Sequence, residues 1–155
     1  MAKTFQAGFF ERNLLPIAGI VVGAFILNKL FGAKGSAEEK QAEQIEGAIA
    51  IETQAGRGLS YNDVEYTSKA DQIYSAVFDT GTNEEAIYRV MRSMITDADL
   101  YALIRAFGSR RASIGDTLSP LTWWTLPEWM TNELSDSELV ELNGILAANN
   151  IRYRF

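Results

Sequence analysis

The pattern of apolar and polar positions divides the chain into an unbroken apolar run, a polar spacer and a series of amphipathic helices. Residues 14–27, LLPIAGIVVGAFIL, carry no polar side chain, and NKLF extends the apolar character to Phe31. As a helix, the 18 residues 14–31 would span roughly 27 Å, close to the hydrocarbon thickness of a bilayer. The run therefore predicts a transmembrane helix within an N-terminal segment 1–31. Leu14, Ile17, Ile20, Val21, Val22, Phe25, Ile26 and Leu27 would lie within the membrane-spanning segment, and Lys29 would snorkel to the headgroups. Pro16 falls in the first turn, where a missing amide donor costs least. Gly19 and Gly23 form a small-xxx-small pair suited to self-association with a second helix. Two other readings of the run are a buried core helix, which would ordinarily show a polar face, and a cleaved secretory signal, since a short basic region precedes it.

Residues 32–67 read as a spacer, either a loose tether or a stalk. Gly32, Gly35 and Ser36 begin it flexibly, an Ala/Glu/Gln-rich stretch predicts a helix from Ala37 to about Ile51, and TQAGRGLS breaks that helix with two glycines. From Ser68 onward the periodicity is helical and well punctuated. Ala70, Ile73, Tyr74 and Val77 make one stripe. TNEE, with Thr82 and Glu85, reads as a capping box for a helix burying Ile87, Val90, Met91 and Met94. TDAD, with Thr96 and Asp99, caps another through Leu100, Leu103, Ile104 and Phe107, and Gly108 suits its end. TLPEWMTNEL and then SDSELVELNGILAANN follow, the second opened by Ser135 and Glu138 and striped by Leu139, Leu142, Ile145 and Leu146. Only the last five residues, IRYRF, alternate like a strand. The predicted fold class is thus all-α: an N-terminal transmembrane helix plus a compact five-helix bundle over residues 68–155.

Composition narrows the chemistry. Residues 1–40 carry a net +2, so the rest carries −8 of the overall −6, an acidic balance that argues against a nucleic-acid partner. There is no cysteine and no histidine, which removes disulfides, thiolate nucleophiles, histidine-based catalysis and the usual zinc sites. Only carboxylates, hydroxyls and backbone groups remain. A peptidoglycan-cleaving carboxylate pair would have to come from residues such as Glu65 or Glu85 with Asp116 or Glu128. Spacing selects no pair, and each residue reads equally as a cap or a solvated charge, so no catalytic residue is assigned and an enzyme is not expected.

The pieces ADQIYSAVF, DTGTNEEAIYRVMRS, DADLYALIRAFG, WMTNELS and ELVELNGIL, in that order over residues 68–149, resemble a single annexin repeat. The ending NEL, NGIL and IRYRF resembles, more loosely, proteins of Bacteroidetes and their bacteriophages. The annexin resemblance implies a five-helix bundle and a calcium site built from loop carbonyls and a distal carboxylate, which here would be Gly81, Thr82 and Glu133. Two departures weigh against calcium: Asp79 stands where the first loop glycine would be, and RRASIGDTLSPLTWWT intervenes between the third and fourth helices. No cofactor is therefore expected beyond this weak calcium candidate.

All three tryptophans, Trp123, Trp124 and Trp129, fall in or beside that insertion, either closing the core or forming an exposed patch for a partner. The tail residues Arg152, Tyr153, Arg154 and Phe155 suit docking on a neighbouring subunit or folding back on their own domain. The expected function is a membrane-anchored structural or interaction protein. In its sharper form this is a minor virion protein of a membrane-containing bacteriophage, joining the internal membrane to capsid subunits. The lipid bilayer would be its other partner, and a bacterial cell membrane its location if the protein is cellular. The alternatives are a calcium-dependent binder of acidic phospholipid, as the annexin resemblance implies, and the carboxylate enzyme.

Overall fold

The computed structural model describes residues 37–78, 81–112 and 122–155. The chain divides into two compact units, Met1–Gln44 and Ile45–Phe155. In order, the described elements are α1 (Ala37–Gln54), α2 (Asp63–Phe78), α3 (Glu84–Ser93), α4 (Asp97–Phe107), β1 (Ser109–Ala112), β2 (Thr122–Thr125), α5 (Leu126–Glu133) and α6 (Asp136–Ala148).

The helices start where their caps dictate. Thr96 and Asp99 close a capping box on α4, Ser135 and Glu138 one on α6, and Gly108 ends α4 at φ 59°, a left-handed value that favours glycine. The entrance to α3 differs by one residue from the sequence expectation. Asn83, not Thr82, is the cap, its Oδ1 accepting the Ala86 amide at 3.0 Å. Glu85 pairs with Arg92 at 2.8 Å instead of reaching back.

In the unit Ile45–Phe155 the predicted stripes converge on one core. Ala70, Ile73, Ile87, Met91, Met94, Leu100, Leu103, Leu142 and Leu146 are fully buried, joined by Leu126, Trp129 and Met130 of α5. Ile49 and Glu52 of α1 are buried in the same unit, which begins at Ile45.

Two expectations are corrected. The fold is not all-α: β1 and β2 pair antiparallel, with Ser109 opposite Thr125, Arg110 opposite Trp124, Arg111 opposite Trp123 and Ala112 opposite Thr122. β-branched and aromatic side chains in TWWT favour a pleated, half-buried surface over a helix. The tail IRYRF, whose alternation looked strand-like, makes no strand. The second correction concerns the membrane. The span expected over residues 14–31, with its membrane-spanning side chains and the Gly19 and Gly23 pair, lies outside the described residues. Among the described residues no helix is long and apolar enough to cross a membrane. The longest, α1, contains Glu39, Lys40, Glu43, Glu46 and Glu52. A transmembrane helix, a membrane-protein assignment and a membrane location therefore have no support in the fold.

Candidate functional site

The described parts of the insertion between α4 and α5, in the paired strands β1 and β2, are pinned to the body by aromatic stacking. Trp129 is buried on α5, and Trp124 of β2 meets it edge-on with ring centroids 5.0 Å apart. Tyr74 of α2 packs edge-on against Trp129 at 5.9 Å, and its hydroxyl donates to the Arg111 carbonyl at 3.0 Å. Arg110, opposite Trp124, lies 5.0 Å over the Tyr74 ring and 4.9 Å over Phe107, and pairs with Asp71 at 2.8 Å. Trp129 Nε1 is the buried side-chain polar atom without a hydrogen-bond partner among the described residues.

Side chains alternate across a strand, so the neighbours of these inward residues point the other way. Trp123 is 58% exposed, and Arg111 opposite it is exposed as well. Of the three tryptophans the structure thus buries one, half-buries one and leaves one on the surface.

The residues implicated in calcium are brought together in part. The Thr82 hydroxyl donates to Glu133 Oε2 at 3.3 Å across 51 positions, and Gly81 has φ 95°. Asp79 lies outside the described residues. Calcium takes six to eight oxygens. The described loop supplies one hydroxyl and the backbone carbonyls, and α5 one carboxylate. Among the described residues no group of three or more acidic side chains is placed to hold a metal.

The tail folds back on its own unit. The Arg152 amide donates to Asp97 Oδ1 at 2.8 Å, its Nε to Asp97 Oδ2 at 2.9 Å, and its terminal nitrogen to Glu52. Tyr153 stacks edge-on against Tyr101, Arg154 donates to the carbonyls of Ile151 and Tyr153, and Phe155 is buried. Burial first, then the carboxylates of Asp97 and Glu52, push the Tyr101 hydroxyl up to about 12.

Asp99, read from spacing only as part of a cap, is the centre of a buried polar network. Asp99 is fully buried and accepts five hydrogen bonds: from the Ser60 amide at 2.7 Å, the Tyr66 hydroxyl at 2.6 Å, the Ser60 hydroxyl at 2.8 Å and the amides of Ile95 and Thr96 at 2.9 and 3.0 Å. Burial alone would raise its pKa, but the bonds from Tyr66, Ser60 and Ile95 together outweigh burial and hold it below the ordinary carboxylate value. Every lone pair it offers is engaged within the fold, so it acts as a tie between α4 and the segment before α2.

The candidate catalytic carboxylates are similarly employed. Glu65 Oε2 accepts the Asn62 amide at 3.0 Å, Glu85 pairs with Arg92, and Glu128 accepts the Thr125 amide at 2.7 Å. Asp116 lies outside the described residues.

No family model, curated protein or solved structure matches this chain. The annexin resemblance rests on the quoted stretches alone, and the virion and bacteriophage assignments gain no support.

Proposed function

We propose that the chain is a non-catalytic interaction protein whose contact surface is the outer face of the β1–β2 hairpin. The observation that carries this reading is Trp123: a large apolar ring 58% exposed on a strand whose other face is stapled to the core. Tryptophan and arginine dominate the energetics of protein contacts, and a rigid base lowers the ordering cost of binding through them. Arg111, directly opposite, adds a guanidinium in a chain of net charge −6, which favours a protein partner with acidic groups beside an apolar pocket.

The test is affinity capture of the full chain from its native source with Trp123→Ser and, as a control, Val140→Ser, which removes another exposed apolar side chain, 73% exposed on α6. The expected result is loss of a specific co-purifying protein with the first variant and retention with the second. Equal recovery in both would sink the hairpin as the contact surface.

A second reading, calcium-dependent binding to acidic phospholipid, is favoured by the Thr82–Glu133 contact. It requires calcium to raise the melting temperature of the full chain and Glu133→Gln to abolish that rise. No shift at millimolar calcium removes it.

A further inference from the structure

Arg110 and Arg111 are neighbours in β1 whose side chains take opposite faces of the strand. Arg111 turns outward beside Trp123, whereas Arg110 turns into the body and leaves only 18% of its side chain exposed. The Arg110 guanidinium is engaged on several sides at once. Its Nε donates to the Phe107 carbonyl at 3.1 Å, its Nη2 pairs with Asp71 at 2.8 Å, and its central carbon lies over the rings of Tyr74 and Phe107. One side chain thereby ties β1 to both α2 and α4. The Tyr74 hydroxyl adds a second tie from α2, donating to the Arg111 carbonyl. On β2 the tie is Trp124, edge-on against Trp129 of α5.

A two-stranded ribbon is marginal in water and draws its stability from what it packs against. Each strand here has four residues. The helices stand on other ground, because the buried stripes of α2, α3, α4 and α6 converge on a common core. Segments held by a few anchors open at lower cost than the core they rest on. Asp71 is 60% exposed, so its ion pair is weakened by solvent, and Arg110 holds β1 through the Phe107 carbonyl and the two rings as much as through charge.

We propose that β1 and β2 open as a unit ahead of the helical core, and that Arg110 is the latch that sets how often they do. Docked, the strands hold Trp123 and Arg111 at a fixed cross-strand spacing; opened, they do not. Arg110 is then a positioning residue for the outer face, and a partner that engages both outward side chains binds the docked state and draws the equilibrium toward it. That consequence rests on the reading of the outer face as a contact surface, whereas the opening itself does not.

The test is amide hydrogen exchange of the full chain, followed by mass spectrometry, in two variants. Arg110→Met removes the guanidinium and keeps an apolar stem over Tyr74 and Phe107; Tyr74→Phe removes the hydroxyl and keeps the ring. Segments Ser109–Ala112 and Thr122–Thr125 are expected to exchange about tenfold faster in Arg110→Met and roughly threefold faster in Tyr74→Phe, with the core amides of α4 and α6 unchanged in both. Unchanged strand exchange in Arg110→Met overturns the proposal, and so does an equal increase across the helices, since strands and core would then open together. If Arg110→Met fails to fold, Tyr74→Phe decides by the same two criteria. A photoreactive residue at position 123 separates the latch from the contact reading. An adduct diminished by Arg110→Met supports the positioning role, and one formed in full by that variant overturns it. Absence of any adduct in the otherwise unaltered chain removes the contact reading and leaves the opening to be judged by exchange.

Discussion

Asp99 illustrates how far a local motif carries. Its place three residues after Thr96 identifies a capping box from spacing alone, and the Asp99 amide does bond to Thr96 Oγ1 at 3.1 Å. The partners that make it a buried hub, Ser60 and Tyr66, lie 39 and 33 positions away, and no periodicity links them to it. Removing the Tyr66 hydroxyl with Tyr66→Phe is expected to cost about 1.5–3 kcal/mol, the usual worth of a hydrogen bond to a charged acceptor. Because the folded pKa of Asp99 is depressed, its contribution is complete above the unfolded carboxylate value of about 3.9 and is lost as pH falls through the lower folded value. Urea titrations between pH 7 and pH 2.5 should therefore show an acid-side decline that Asp99→Asn flattens. An unchanged pH profile in that variant would assign the decline to other carboxylates. Thr82 illustrates the opposite case. The cap moved one residue to Asn83, because an asparagine serves that role at least as well and Thr82 finds Glu133 across the fold.

The ends of α4 and the start of α6 were readable because their local chemistry announces them, whereas α3 is capped one residue later than expected and α2 begins at Asp63, inside the expected spacer. The Thr96 and Ser135 capping boxes, Gly108, and the stripes 87–94 and 100–107 all fall where spacing puts them. The hairpin was not readable, since each strand has four residues and SRRA carries little strand propensity by itself. TWWT is the one local signal, and tryptophans read equally as core or patch until pairing fixes which face each takes. Alternation resolves this: Trp124 turns inward with Arg110, and Trp123 turns outward with Arg111. Stability should follow the same division. Trp129→Ala is expected to cost about 3–5 kcal/mol by opening the core beneath the hairpin. Trp123→Ser should stay within about 0.5 kcal/mol of the parent, as exposed substitutions do. Chemical denaturation of both variants measures the contrast, and a large loss at Trp123 would mean that its ring supports the fold and is not free for a partner.

Taken together, residues 45–155 are tied at both ends. Glu52 near the start and Arg152 near the end meet at 100 positions' separation, a contact invisible to local pattern. Composition had fixed what the body lacks, with no cysteine and no histidine, and its carboxylates turn out to cap helices and anchor arginines. The Trp123 and Arg111 face is turned outward, and the most direct measurement of its role is site-specific photo-crosslinking in the native setting. A photoreactive residue at position 123 should yield a discrete adduct that the same residue at position 140, equally apolar and more exposed, does not. Matching yields at the two positions, or an adduct at position 140 alone, would contradict the assignment of the hairpin as the contact surface.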